Sequence, residues 1–477
     1  MRARLRTLLL LGTMALAPTG AAAQALDAYV QPPGMARLEF GGVFTAYDAR
    51  FGADGKRVSL ASDVLSGPLT AESFAPYSDQ LSGLQTGLRD FFGSFDPSVA
   101  VDSESFRLGT PDVRIYDHFV RVPMGFSLGI LPHVQIGART EFVKGGRLVE
   151  RLGFPEATVG ANPDAAGNSA KLEKLGAQWA DLGASTLLPT DSSTLGQALQ
   201  RIAVAHGTDS LALPDSPVGE AWFTPLVQPD FGVYPLASGL EDWRLGDTEL
   251  NARVLLLSTM GQRGFPGDSA LFGLRSSVEA SLLLPTGKEP DSLLLVPVAV
   301  PQGRSGYSVA SVTDIFVGRH AWLTLAARYD LPGTQSLRRR VVPGSFPLAV
   351  AGVIDTVQFT PGRALSLTIA PRLRVAEAIA LGARYGVTRT SDATVRARTA
   401  DGIVTGLGAT EAGTIQRFGL RLSYSSLPGY VRGEASFPAE FVLSYDRVLS
   451  GPPGLPAASG LTAQVSLLPR FWGGKKR

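Results

Sequence analysis

Arginine and glutamate recur at even spacings along the chain: Arg139 with Glu141, Glu249 with Arg253, and Arg275 with Glu279. Arg328, Arg384, Arg417 and Arg421 follow singly. In an extended strand, residues two or four apart point to the same face, so each pair predicts a charged stripe. Guanidinium prefers buried and bidentate partners where ammonium prefers open water. Two chemistries fit such stripes. Opposed arginines and carboxylates across a narrow passage set up a transverse field that selects among solutes. Alternatively they form a salt-bridge network that fills a small interior. Both readings require Arg139, Glu141, Glu249, Arg253, Arg275, Glu279, Arg328, Arg384 and Arg421 to face inward, and these nine are the candidate lumen-lining and selectivity residues.

Reactive groups are sparse. The chain has 4 histidines and no cysteine, which excludes disulfides, thiolate metal sites and a cysteine nucleophile. His133 and His320 fall in predicted turns and His206 in a long loop. Barrel phospholipases as a group use a His and a Ser two apart on one strand, but Val120 stands two after His118. Barrel proteases need Asp and His on one face, whereas Asp117 and His118 are adjacent and point to opposite faces of a regular strand. No metal-ligand spacing and no phosphate-binding glycine loop followed by Lys-Ser/Thr occurs. The reading is therefore not an enzyme, with no cofactor and no metal.

What must position the charged stripes are segments of about ten residues alternating apolar with polar or small side chains, the pattern of a strand with one face on lipid and the other on a polar lumen. In 246–258, Leu250, Ala252, Val254 and Leu256 oppose Glu249, Asn251 and Arg253. In 272–285, Leu274, Val278, Ala280 and Leu282 oppose Arg275, Ser277, Glu279 and Ser281. Such segments cover 36–48, 103–127, 134–145, 246–258, 272–285, 307–317, 321–332, 363–373, 377–390, 414–426, 437–448 and 460–472. They predict an all-β, transmembrane antiparallel barrel of about 12 strands (10–14), with both ends on the periplasmic side. Short connections at Ile130–His133, Gly318–His320 and Arg374–Ala376 alternate with long outer ones. Within the two longest outer connections, Phe74–Phe92 and Ala170–Leu187 space their leucines near helical period. Helices there either lie over the mouth or sit on the surface.

Residues 1–23 carry Arg2, Arg4 and Arg6, an apolar run and Ala21-Ala22-Ala23. They predict a secretory signal peptide, cut after Ala23 or Ala25, and leave 24–477 as one barrel domain. The chain's formal charge is +2. Without its first three arginines the remainder is close to neutral, which gives no electrostatic case for nucleic acid. No apolar run after the leader reaches the length of a transmembrane helix, so membrane crossing must come from strands. Phe471-Trp472, near the end of the last strand, resemble the aromatic signal read by barrel-insertion machinery, although a basic tail follows.

Gly246-Asp247-Thr248-Glu249-Leu250, with Arg253 and Leu255-Leu256-Leu257, and then Ser281-Leu282-Leu283-Leu284-Pro285-Thr286-Gly287, resemble a recurring pattern of the outer-membrane transporters of the phenol-degradation meta-pathway group, relatives of FadL-like barrels. Val122-Pro123-Met124-Gly125-Phe126, leading through Leu128-Gly129, is similar to a strand end in the same group. The resemblance covers about a third of the chain. It implies an outer-membrane channel, in a diderm bacterium, for passive uptake or export of small, often apolar or aromatic molecules. Its partners are outer-membrane lipid, the insertion machinery and the transported molecule. FadL-like barrels place a plug before the first strand. Here only about a dozen residues separate the cleavage site from Ala36, so a plug is expected from the outer loops. Two other readings stand beside the channel: a closed structural or surface-recognition barrel without transport, and a soluble exported β-protein.

Overall fold

The computed structural model describes residues 27–60, 68–71, 79–219, 239–240, 242–259, 272–287, 303–318, 320–342, 353–397, 403–404 and 411–472. The expected leader over 1–23 and the residues after Trp472 lie outside them.

Twelve strands make one closed antiparallel ring. In chain order they are β1 (Ala36–Tyr47), β2 (Asp112–Leu131), β3 (Val134–Gly153), β4 (Thr248–Ser258), β5 (Phe272–Leu284) and β6 (Gly306–Val317), then β7 (Ala321–Pro332), β8 (Ala364–Arg374), β9 (Ile379–Thr390), β10 (Gly413–Ser425), β11 (Ala439–Ser450) and β12 (Ser459–Leu467). Each pairs with its sequence neighbours. β1 closes the ring, setting Phe40 opposite Val465 of β12 and Met124 of β2. Closure leaves no strand edge unpaired, the condition for crossing a bilayer in strands.

The side chains are arranged inside out. On β4, Leu256 is 62% exposed while Arg253 is 5% exposed. The same contrast sets Tyr307 and Val309 outside against Ser308 and Asp314 inside on β6, and Leu365, Leu367 and Ile369 outside against Ala370 inside on β8. A water-soluble sandwich would bury those apolar side chains at ~25 cal/mol per Å². Here they form a continuous outer band, so the medium around the cylinder is hydrocarbon. A closed strand barrel of this polarity belongs to the outer membrane of a Gram-negative bacterium.

Tight turns join β2 to β3, β6 to β7 and β8 to β9 at the end where β1 begins and β12 ends, the periplasmic end. Gly318 takes a left-handed φ of 59° in one of them, a conformation open to glycine at little cost. The opposite end carries the long loops. β2 and β3 run 20 residues each, about twice a membrane crossing, and so project beyond the bilayer and support an outer cap. Its helices are α1 (Asp79–Phe95), α2 (Ala165–Glu173), α3 (Ala180–Ala184) and α4 (Thr194–Ala205). Leu84, Leu88, Phe91 and Phe92 of α1 meet Leu172, Trp179, Leu182, Leu199 and Ile202 in a water-free core. A short helix, α5 (Leu427–Arg432), lies in the periplasmic connection between β10 and β11.

Three details differ from the sequence reading. The second strand begins at Asp112, not near 103, because Val101, Phe106 and Leu108 alternate into the cap core instead of the barrel wall. The helix expected over 170–187 breaks into two. Gly176, at φ 151°, ends the first piece, and a 3-10 turn, Ala177–Trp179, starts the second. The helix expected from Phe74 is described from Asp79 and continues to Phe95.

Candidate functional site

Alternation along each strand turns the polar set into the lumen, where ion pairs join neighbouring strands and also reach over one or two strands. Glu279 of β5, 3% exposed, accepts from Arg253 of β4 through Nε at 2.8 Å and Nη2 at 2.7 Å. Arg139 reaches Glu279 from β3, passing over β4, at 3.5 Å. Arg139 also lies 4.0 Å from Glu249, and Arg328 of β7 comes to 3.5 Å from that same carboxylate across two intervening strands. Arg328 is held in turn by Asp330 at 2.7 Å. Five of the nine candidates, Arg139, Glu249, Arg253, Glu279 and Arg328, are thus one network that forms a charged waist.

The other four lie apart from it. Glu141 is 3.9 Å from Arg121, and Arg384 of β9 pairs with Asp446 of β11 over the top of β10. Arg275 pairs with Asp314, its direct neighbour on β6, at 2.9 Å. Arg421 is half-buried in the periplasmic half of the lumen, and its Nε is enclosed without a hydrogen-bond partner.

The plug expectation needs correcting: the lumen is crossed from the periplasmic side by the N-terminal residues themselves. The Ala28 N–H donates to Asp314 Oδ2 at 2.8 Å and the Gln31 N–H to Gln135 Oε1 at 2.9 Å. Arg253 Nη1 donates to the Asp27 carbonyl at 3.0 Å. The Tyr29 and Phe316 rings both lie against the Arg275 guanidinium, with their centres 5.2 and 5.4 Å from it, within cation–π range. Gly129 makes room for this crossing. A Cβ there would strike the backbone oxygens of Gln31 and Pro32, and its own N–H and C=O pair with Met35 and Gly34.

Sequence reasoning missed Asp27, Tyr29, Arg37, Asp314, Arg372 and Glu440. Asp314, Arg372 and Glu440 were legible as polar positions inside segments already read as strands. The N-terminal segment offered no such signal, because its partners lie 104 and 286 residues away.

Beyond the waist the lumen changes character. Toward the outside, Tyr47, Phe119, Val143 and Ala458 pack as one inward apolar cluster and Phe51, Ile415, Leu455 and Ala457 as another, forming a collar. Toward the periplasm, Trp322 and Phe316 stack with ring centres 6.4 Å apart, and Arg372 lies over Trp322 at 5.8 Å. Arg37 joins Glu39 at 2.8 Å and Glu440 at 3.0 Å.

The residues that carry the sequence resemblance form a clip at the outer ends of β4 and β5. Asp247 accepts from the Gly287 N–H and the Arg304 N–H, both at 2.9 Å. Thr286 donates to the Gly246 carbonyl at 2.8 Å. Burial pushes the Asp247 carboxyl upward, against the lowering effect of the two N–H donors.

The histidines do not converge. His206 packs edge-on to Phe95 in the cap and His118 stacks on Tyr116. Among the described residues no three metal-ligating side chains are grouped.

No known family profile matches the chain, and no curated protein matches it. Solved structures do. An outer membrane channel from Pseudomonas putida F1 overlaps 93% of this chain and 98% of its own, at 9% identity and a TM-score of 0.44. The translocator domain of the autotransporter NalP from Neisseria meningitidis overlaps 94% and 92%, at 9% identity and 0.32. The toluene transporter TodX of Pseudomonas putida overlaps 97% and 96%, at 9% identity and 0.26. Likenesses of this size carry nothing about what this chain transports.

Proposed function

We propose that the chain from about residue 24 onward is a single outer-membrane channel domain through which small, apolar or aromatic molecules pass without energy input. The observation that carries this reading is the graded lumen. An apolar collar faces outside, a narrow ion-paired waist follows, and an aromatic vestibule opens to the periplasm. The collar's side chains pack against one another and make the outer mouth a better medium for an apolar solute than for an ion. The waist excludes bulk flow of ions because its charges are already paired. In this reading the nine lumenal charges set selectivity, and the resemblance carried by 246–257 and 281–287 supports the same solute class. The chain's surroundings are outer-membrane lipid, reached through the insertion machinery with the help of Phe471 and Trp472. Vesicles containing the folded protein should take up labelled monoaromatic compounds down a gradient, faster than empty vesicles and unaffected by an uncoupler. Equal rates would overturn the reading.

One observation favours a second reading. The hydrogen bonds of Ala28 and Gln31 tie the N-terminal segment across the bore, as a permanently closed barrel would require, with the outer cap then serving recognition. Current steps in a planar bilayer favour the channel, and silence favours the closed scaffold.

A further inference from the structure

At the periplasmic end of the lumen lies a cavity of about 160 Å³. A cavity of about 150 Å³ accepts one benzene ring. Phe316 and Trp322 stack in its wall, and Tyr29 also lines it. Guanidiniums are interleaved with the rings, Arg275 against Tyr29 and Phe316 and Arg372 against Trp322. Arg37, Arg275, Arg372, Arg374 and Arg421 all reach the cavity. Against these five guanidiniums stand three carboxylates, Asp27, Glu377 and Glu440. Two of the three are held by Arg37, at 3.9 Å from Asp27 and 3.0 Å from Glu440, and Arg275 is neutralised by Asp314 below the floor. Arg37 also holds Glu39 at 2.8 Å, so these five guanidiniums and the five carboxylates around them balance overall, and what sets the site apart is Arg421, whose Nε has no hydrogen-bond partner. A planar guanidinium matches a carboxylate through two parallel N–H···O bonds.

We propose that this vestibule binds a small aromatic carboxylate, its ring against Trp322 and Phe316 and its carboxylate on Arg421. The proposal rests on the channel reading only for how such a molecule arrives. Binding itself needs no transport, and the two can fail separately.

The probe is benzoate, titrated calorimetrically into the purified full chain in detergent. Benzyl alcohol keeps the ring without the charge, and acetate keeps the charge without the ring. Benzoate should bind at least tenfold tighter than either. Arg421→Gln should weaken benzoate tenfold or more while leaving benzyl alcohol unchanged, whereas Trp322→Ala should weaken both. Arg447→Gln, on the outer face of β11, should change nothing. Heat-modifiable migration of each variant checks that the barrel has formed, and the Trp322 variant serves if Arg421→Gln does not fold. Equal affinity for benzoate and benzyl alcohol, or unchanged benzoate binding in folded Arg421→Gln, would overturn the site, as would a cavity filled by the chain's own residues before Asp27 so that nothing binds. Lost benzoate binding with bilayer conductance intact sinks only the site. Benzoate binding with silent bilayers keeps the site and sinks the channel.

Discussion

Glu279 holds two arginines with one carboxylate, and that makes it the most exposed point of the lumenal network to mutation. Both Arg253 and Glu279 are nearly inaccessible to water, at 5% and 3% exposure, so removing the acid leaves two buried cations facing each other. Breaking a buried pair costs about 3–5 kcal/mol. Glu279→Ala should therefore lower stability by about that much in a urea titration of the folded barrel in lipid vesicles. Replacing Arg253 and Glu279 together by Met and Leu should recover part of the loss, and the residue of the cycle measures the coupling. The pair Lys56–Asp54 has side chains 83% and 56% exposed. Solvent screens it, and Lys56→Ala should leave the same titration unmoved. A different kind of contact is at stake at Asp247, whose carboxylate clips two backbone N–H groups. Hydrogen bonds to a charged acceptor contribute about 1.5–3 kcal/mol each. Asp247→Ala should loosen the start of β6 enough for trypsin to cut after Arg304 on intact cells, while the wild type resists over the same exposure.

At the scale of elements, the barrel was legible because every strand meets two media of opposite polarity, so each ten-residue piece of sequence records the period on its own. Leu250, Val254 and Leu256 could not face inward without bringing Glu249 and Arg253 to lipid. The lumenal arginines were legible by the same logic. Above the membrane that constraint ends. Phe106 and Leu108 look like strand continuation but pack in the cap, and α4 escaped notice although Ser193 caps it by accepting from the Gly196 N–H at 3.0 Å and Leu195, Leu199 and Ile202 share its buried face. The cap has its own core, centred on Phe91 and Phe92, both fully buried, with Phe91 edge-on to Trp179 at 5.2 Å. Phe→Ala at such a position costs about 3–5 kcal/mol. Because that core meets the barrel ladder through Ile115, at the projecting outer end of β2, Phe91→Ala should make the outer loops protease-sensitive in whole cells. The heat-modifiable migration of the barrel should stay as in the wild type. Joint loss of both would show cap and barrel to be one cooperative unit.

Taken as a whole molecule, the protein is a cylinder crossed by nine residues that run from Asp27 to the first strand, and in the channel reading these residues set how far it opens. The segment is seated by contacts from four directions: Asp314 of β6, Gln135 of β3, Arg253 of β4 and the Tyr29 ring on Arg275 of β5. These are a handful of hydrogen bonds, each contributing about 0.5–1.5 kcal/mol net. So few contacts leave the seat displaceable by a modest change. Gly129 is where to make that change, since a side chain there collides with backbone at Gln31 and Pro32, which cannot rotate away. Gly129→Val should expel the segment while the wall, whose pairing runs on through Leu128 and Leu131, stays closed. In single-channel recordings the variant should conduct several-fold more than the wild type, and deleting residues 27–31 should give the same increase. If both variants conduct no better than wild type, the waist of Arg139, Glu249, Glu279 and Arg328 is the true barrier and the N-terminal segment is only its buttress. Glu249→Gln, which frees Arg328 and Arg139 from that carboxylate, would then be the substitution that changes conductance.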